Sequence, residues 1–193
     1  DTRGPDPRWL DGLDEQLAFY GGAIAESRYR LVTQLNAQLE TMGGDIFPSA
    51  IINIADRELR TETALREVLR ANRSADRSAG RTLRGPHRTD FKLFHRAKNR
   101  PAEKSSTGEQ KALLFSVIRA QADLVAQHRT NRPILLLDEV AAHLDPERRA
   151  GLCALLAEKG GQVWLTGTEP ALFETVPDAG LHFNVSDAAV TRR

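Results

Sequence analysis

The sequence predicts a mixed α/β fold preceded by a helical lobe. Three features carry the prediction: apolar residues at helical spacing through the first 80 residues, helices alternating with short apolar strands from residue 108 onward, and turn chemistry between the two regions. The chain has 193 residues, 40% hydrophobic and 27% charged, a balance that supports a folded core and excludes general disorder. That length suits one compact domain or two small ones. The apolar run over residues 134–137, like that over 152–157, is far shorter than the roughly 20 residues a membrane-spanning helix needs. The opening DTRGPDPRWL has neither an apolar signal region nor basic amphipathic character, so a cytoplasmic setting and no membrane partner are expected. Because the chain opens on Asp1 and its one methionine is Met42, it is expected to be a piece of something longer. The single cysteine, Cys153, sits among Leu152, Ala154 and Leu155 and reads as a small buried apolar residue.

Leu10, Leu13, Leu17, Tyr20 and Ile24 recur at 3,4,3,4 spacing, and Leu31, Leu35 and Leu39 extend the series, which predicts a long amphipathic helix. Within it, Gly21-Gly22 costs about 1 kcal/mol per glycine relative to alanine, which leaves room for a bend or break there. Gly43-Gly44 supplies the stop. SAIINIA, residues 49–55, is β-rich and follows Pro48, so it reads as a short strand. Residues 57–79 then read as a second helix, with Leu59, Ala64, Leu65, Val68 and Leu69 as its apolar stripe and arginines filling much of the rest.

Past Gly80 come two β-prone runs, around Thr82-Leu83 and over residues 91–95, followed by turn material at Lys98-Asn99-Arg100-Pro101. Next in order are a helix over 108–128, a strand over 133–138, a helix over 146–158, a strand over 162–166, a short helix after Pro170 and a strand over 181–185. Such alternation implies a parallel sheet with right-handed crossovers. The expected organisation is a helical arm lobe over residues 1–79 and an α/β part over residues 80–193.

The formal charge of +1 conceals an uneven distribution, with −5 over residues 1–56, +8 over 57–104 and −2 over 105–193. The basic block is either a phosphate-facing surface or a solvated helix face. Its arginines Arg57, Arg60, Arg66, Arg70, Arg73 and Arg77 are the candidate backbone-phosphate contacts, since a guanidinium matches phosphate bidentately.

PILLLDEV, residues 133–140, is an apolar strand ending in two acids. In a parallel sheet, ligands lie beyond the carboxyl ends of the strands, where Asp138 and Glu139 would project. Asp138 suits a Mg²⁺ ion held through its water shell, because Mg²⁺ takes few carboxylates directly. Glu139 suits orientation or deprotonation of an attacking water. A solvated acidic turn is the alternative. SSTGEQKALL, residues 105–114, places Ser106, Thr107, Gly108 and Glu109 at a helix start, where free N–H groups and the helix dipole favour an anion. The same residues also spell a plain capping box. Asp145, in AAHLD, precedes a helix opened by Pro146 and has a helix cap as its alternative role.

STGEQ before a helix, then ILLLDE, then AHLD resembles the signature, Walker B and D-loop series of ABC-type ATPases, in particular the chromosome-maintenance and recombination branch. With GPHRTDF (residues 85–91) and QVWLTGTE (residues 162–169), the motifs are most similar to the carboxyl-terminal half of the RecF family of bacterial DNA-repair proteins. The resemblance is strong over residues 82–169 and weaker over the first 80. It implies the carboxyl-terminal part of an ABC-type ATPase head with a helical arm lobe, and ATP with Mg²⁺ as cofactors in the intact protein. By the same resemblance Asp138 is the Mg²⁺ partner and Glu139 the hydrolytic glutamate. Ser106, Thr107, Gly108 and Glu109 form the signature loop that meets the γ-phosphate on the opposite subunit, and Asp145 lies at the same seam of an ATP-dependent homodimer. The implied partners are single-stranded, gapped or junction DNA, with RecO and RecR in loading RecA, in recombinational repair and the SOS response.

The sequence departs from the family pattern in two places. No GxxxxGK[ST] loop occurs, so the chain alone is expected not to hydrolyse ATP. Thr166 is followed by Gly167 and Thr168 where a histidine is common, which leaves the γ-phosphate sensor unassigned. His87 and His143 lack a second ligand nearby in sequence and are not assigned to metal. Two other functions fit less of the pattern. An ATPase subunit of another machine, such as a transporter, calls for an apolar coupling surface, and a non-enzymatic interaction module calls for a remnant site that only supports a partner surface.

Overall fold

A computed structural model of the chain describes residues 6–42, 46–55, 57–129, 131–176 and 180–192; the side chains of Arg57, Glu58, His143 and Lys159 lie outside the description. The fold is mixed α/β, with two compact units: Asp1–Met42 with Ser49–Lys104, and Gly43–Pro48 with Ser105–Arg193. The division falls after Lys104 instead of near residue 79, because the strands after residue 90 pair with the strand between the first two helices.

In the first unit, α1 spans Pro7–Thr41, with Asp6 as N-cap and Pro7 opening the first turn. It runs unbroken through Gly21-Gly22, without the break those glycines would allow. The glycines are accounted for by close packing. A Cβ on Gly21 would stand 2.5 Å from Leu65 and 3.1 Å from Pro86, and one on Gly22 would stand 3.1 Å from the Glu62 backbone nitrogen. Through its first half the buried face is also rotated from the one predicted, whereas Leu35 and Leu39 of the predicted series are buried as expected. Asp14, Ala18, Gly21 and Gly22 are buried, while Leu13, Leu17, Tyr20, Ile24 and Leu31 are exposed. A small-residue face lets the second helix approach, and the large apolar side chains of the predicted seam point away from it. The predicted stop at Gly43-Gly44 lies outside the described residues.

After β1 (Ala50–Ile54), a 3₁₀ turn over Arg57–Arg60 precedes α2 (Glu62–Ala79), so the predicted second helix begins at the Thr61 cap. Gly80, at φ 64°, closes α2 in the left-handed conformation that glycine adopts without a Cβ penalty. Leu59, Leu65 and Leu69 bury against Ala18 of α1. The Asn36 side chain exchanges two 2.8 Å hydrogen bonds with the main chain of Ile52, which satisfies the open edge of β1. The other edge pairs antiparallel with β2 (Phe91–His95), which turns through Asn99 at φ 44° into β3 (Arg100–Pro101). The β-prone Thr82-Leu83 forms no strand; Leu83 N–H donates to the Asp76 carboxylate instead.

In the second unit, α3 spans Thr107–His128, β4 Leu135–Leu137, α4 Pro146–Lys159 and β5 Val163–Leu165, with β4 and β5 parallel as predicted. Phe47, Ala112, Phe115, Leu137, Leu144 and Leu152 form one core that joins α3, β4, the turn before α4 and α4 itself. Phe47 and Phe115 meet with ring centroids 4.7 Å apart. Cys153 is buried, as its neighbours in sequence predict. The predicted short helix after Pro170 is a 3₁₀ turn over Pro170–Phe173. The last predicted strand does not join the parallel sheet: β6 (Phe183–Ser186) pairs antiparallel with β7 (Ala189–Arg192). Asp187 and Ala188, both at positive φ, make the tight turn whose twist suits a two-residue hairpin.

One face of the β4–β5 sheet is open. Leu136 is 75% exposed and Trp164 48%. A run such as ILLL is typical of a parallel strand covered on both sides.

Candidate functional site

The core of the second unit positions every motif of the α/β part. Leu137 anchors the end of β4 and directly precedes Asp138; Leu144 anchors the turn that directly precedes Asp145; Ala112 and Phe115 anchor the first turns of α3, just behind Ser106–Glu109. Residues far apart in sequence therefore stand at the ends of elements that share one apolar base.

The first group lies beyond the carboxyl ends of β4 and β5. Asp138 is exposed and Glu139 half-buried. Thr166, just past β5, donates its hydroxyl to Asp138 Oδ1 and accepts the Glu139 N–H at 3.1 Å, while its own N–H donates to Leu137 O at 3.1 Å. One hydroxyl thus holds both acids. Glu139 has φ 53°, an uncommon conformation for a residue with a Cβ, and the Thr166 bond holds it there. With Oδ1 engaged, Asp138 Oδ2 is the oxygen turned to solvent chemistry. Sequence reasoning left Thr166 without a role, and its placement at the end of a parallel strand neighbouring the acid-bearing one was the available signal.

The second group joins two helix starts. Ser106 caps α3 in a full capping box: its Oγ accepts from Glu109 N–H at 3.4 Å, and Glu109 Oε2 accepts from Ser106 N–H at 3.0 Å. Asp145 caps α4, accepting from Arg148 N–H at 2.8 Å. Arg148 also reaches the other Asp145 oxygen at 3.1 Å, and a Cβ placed on Gly108 would lie 3.9 Å from the same guanidinium nitrogen. Arg148 therefore places a positive charge between Gly108 and Asp145, a role that sequence reasoning missed because the residue lies in no motif. Thr107 is exposed, and the Ser105 hydroxyl is buried with no partner among the described residues.

The six candidate DNA-contacting arginines lie in the first unit. Arg66 pairs with Glu15 at 2.9 Å, Arg70 with Asp11 at 2.9 Å, and Arg73 with both Asp11 and Asp14, so α2 is clasped to α1 by charge. Asp11 is held below the usual aspartate range by its hydrogen bonds from Arg73 and then Arg70, and Arg73 is raised chiefly by Asp11. Arg60 pairs with Glu26 at 3.6 Å and lies over the Tyr29 ring at 3.8 Å. Arg77 is exposed, and the Arg57 side chain lies outside the described residues. His87 hydrogen-bonds the Thr82 carbonyl at 3.0 Å. Among the described residues, no helix is long and apolar enough to cross a membrane.

No protein-family model matches the chain. It is 44% identical over 195 residues to the DNA replication and repair protein RecF of Agrobacterium fabrum, covering 96% of this chain and 52% of the relative. Against the RecF of Brucella abortus strain 2308 it is 44% identical over 196 residues, covering 96% of this chain and 51% of the relative. The chain thus spans about half the length of the curated relatives it matches. Among solved structures, the recombination mediator protein RecF with ATP superposes on all of this chain and 52% of its own with a TM-score of 0.77 at 22% identity, which establishes likeness of fold. A structure described under ATP-driven dimerization and DNA-stimulated activation of SMC ATPases superposes on 88% of this chain and 88% of its own, with a TM-score of 0.53 at 14% identity. The mixed α/β fold is therefore that of RecF and SMC-type ATPase heads, and the order of motifs fits a carboxyl-terminal portion. Sequence likeness over nearly the whole chain, together with that fold, makes this chain a homologue of about half of the RecF protein, and its carboxyl-terminal portion fits.

Proposed function

We propose that this chain supplies the signature-and-acid half of the ATP sites of a RecF-type DNA-repair ATPase, in which two protomers close around nucleotide. The observation that carries the reading is the shared core, which seats Ser106–Glu109, Asp138–Glu139 and Asp145 on one rigid base. The residues fit the groups they would hold. Asp138 offers a solvent-facing oxygen for the water shell of Mg²⁺, an ion that keeps most of its waters. Bound there, the ion would offset the charge of the phosphates. Glu139, fixed by Thr166, would orient and deprotonate a water. The Ser106 hydroxyl accepts from the cap, so its own proton remains to be donated to a phosphate oxygen, and the first N–H groups of α3 point the same way. Arg148 adds positive charge beside Gly108, and Asp145 stands at the seam.

The phosphate-cradling loop that this chain lacks would come from the other half of the family protein. The open face at Leu136 and Trp164 is where that half would complete the head. The intact protein would act in the cytoplasm on gapped or single-stranded DNA, with RecO and RecR, to assist RecA loading. A transporter-type or purely structural role has no comparable support in the residues.

The test is Glu139→Gln in a full-length RecF-family protein carrying this sequence. Retained ATP binding with turnover lost is expected. Undiminished turnover would remove Glu139 from its role. The isolated chain should bind ATP little or not at all until a phosphate-loop segment is supplied, and tight binding by the chain alone would count against the half-site reading.

A further inference from the structure

The basic block over residues 57–104 is not uniform. Residues 57–80 carry 6 basic and 4 acidic side chains, whereas residues 81–104 carry 8 and 2. The structure separates the two parts further. The arginine row of α2 faces acids of α1: Arg66, Arg70 and Arg73 each have a carboxylate partner within 3 Å. Their charge is largely offset inside the helical pair, so little of it is left to attract a polyanion.

The segment leading from the end of α2 into β2 is different. Arg77, Arg81, Arg88 and Lys92 are exposed, and none of the four has an ion pair among the described residues. The local fold gathers them. The α2 cap sets Arg81 N–H on Asp76 O at 3.2 Å, so the chain turns back over the helix end beside Arg77. The bond between His87 and Thr82 O ties together the two residues that flank it, bringing Arg81 and Arg88 to the same end of the loop. Arg28 donates to Pro86 O and fixes this loop on α1. The two acids of the segment bond main-chain N–H groups within it and pair with none of these four cations: Asp76 accepts from Leu83 N–H at 2.9 Å and Asp90 from Phe91 N–H at 2.8 Å. Between Arg88 and Lys92 stands Phe91, 62% exposed.

Unpaired cations close in the chain to an exposed aromatic residue are the elements of a single-strand site, in which cations follow the backbone and the ring stacks on an unpaired base. We infer that the loop from Arg77 into the start of β2, and not the arginine row of α2, is the surface on which this chain holds DNA, with Phe91 as a base-stacking platform. The choice of DNA as the polyanion rests on the function proposed above; the choice of surface rests on the ion pairs.

The experiment is fluorescence anisotropy of the full 193-residue chain with a single-stranded oligonucleotide and with its duplex, across a salt series. Replacing Arg81, Arg88 and Lys92 by alanine should make the plot of log affinity against log salt shallower by about 2, since each single-strand phosphate contact contributes about 0.7 to the slope. Arg66→Ala with Arg70→Ala should leave the slope unchanged. Phe91→Leu should weaken single-strand binding about tenfold relative to duplex, because an aliphatic side chain cannot stack. Circular dichroism checks folding, and paired glutamine substitutions at Arg81 and Arg88 replace the triple variant if it misfolds. An unchanged slope in the triple variant, or an equal loss in the Arg66/Arg70 variant, overturns the assignment of the surface and leaves DNA binding standing. No salt-dependent binding of either oligonucleotide by the wild-type chain overturns the claim that this chain carries a DNA surface and leaves the ATP-site reading standing.

Discussion

Asp138 receives the hydroxyl proton of Thr166, a residue 28 positions further along the chain, and the same oxygen of Thr166 holds the N–H of Glu139. The bond joins the end of β5 to the end of β4 and makes the orientation of the two acids depend on a neighbouring strand. Thr166 is thereby a positioning residue for the pair.

Thr166→Val keeps the side-chain shape and removes both bonds. In a full-length family protein carrying this sequence, ATP hydrolysis should fall about 10- to 100-fold, the range seen when a residue orienting a metal-site carboxylate is removed. ATP binding should change little, and Thr166→Ser should restore most of the rate. Equal turnover in the valine variant would mean that the acids hold their geometry without the bridge.

Gly21→Ala tests the close approach of α1 and α2. The added methyl would stand 2.5 Å from a Leu65 side chain that is fully buried. Overpacking costs about 1–3 kcal/mol and the gain in helix propensity is about 1 kcal/mol, so the net expectation is a loss of stability. A lower denaturation midpoint for this variant, beside a raised one for Gly12→Ala, which lies in the same helix with open space at its Cβ, is the expected pair of results.

The Asp11–Arg73 clasp predicts an acid sensitivity. Asp11 is held below its ordinary value by Arg73 and Arg70, so its contribution to stability is present above the unfolded aspartate value and is lost as pH falls through the lower folded value. Loosening of the helical pair should set in below about pH 4, where unfolded aspartate takes up its proton. Asp11→Asn should flatten that part of the stability profile without altering stability differences between pH 6 and 8, read by denaturant midpoints. An acid limb unaltered in the variant would show that other carboxylates carry it.

The open β4–β5 face predicts apolar surface behaviour in the isolated chain. Leu136 and Trp164 present large apolar area to water, and surface of this kind binds apolar dyes and promotes association. Leu136→Lys should lower dye fluorescence by about half and reduce self-association in sedimentation, with the circular dichroism spectrum preserved. If the wild-type chain binds no dye and stays monomeric, the face is covered within the chain itself and is not an open docking surface.

Much of the site was legible before any coordinates. The apolar run ending in Asp138-Glu139, the small residues before α3 and the aspartate before α4 are local patterns, and each lies where local physics puts it: past a strand end, at a capping box and at a helix cap. The order of helices and strands in the second unit was readable for the same reason, since periodicity and capping act over a few residues. The hairpin of β6 and β7 was missed because its turn uses Asp187 and Ala188 without a glycine.

By itself, then, the sequence determined the long helices, the two parallel strands between them, the likeness to RecF and the residue types available for chemistry. Only the tertiary structure decided which face of the first half of α1 is buried, since the predicted leucine seam and the small-residue face lie about 100° apart around the helix and the approach of α2 selects the second. It also decided which cations are free, because the partners of the α2 arginines lie some 60 residues away on another helix. The same holds for Thr166, whose bridge to the acids exists only once two strands lie side by side. Relations between distant residues are set by packing, and periodicity along one element does not encode them.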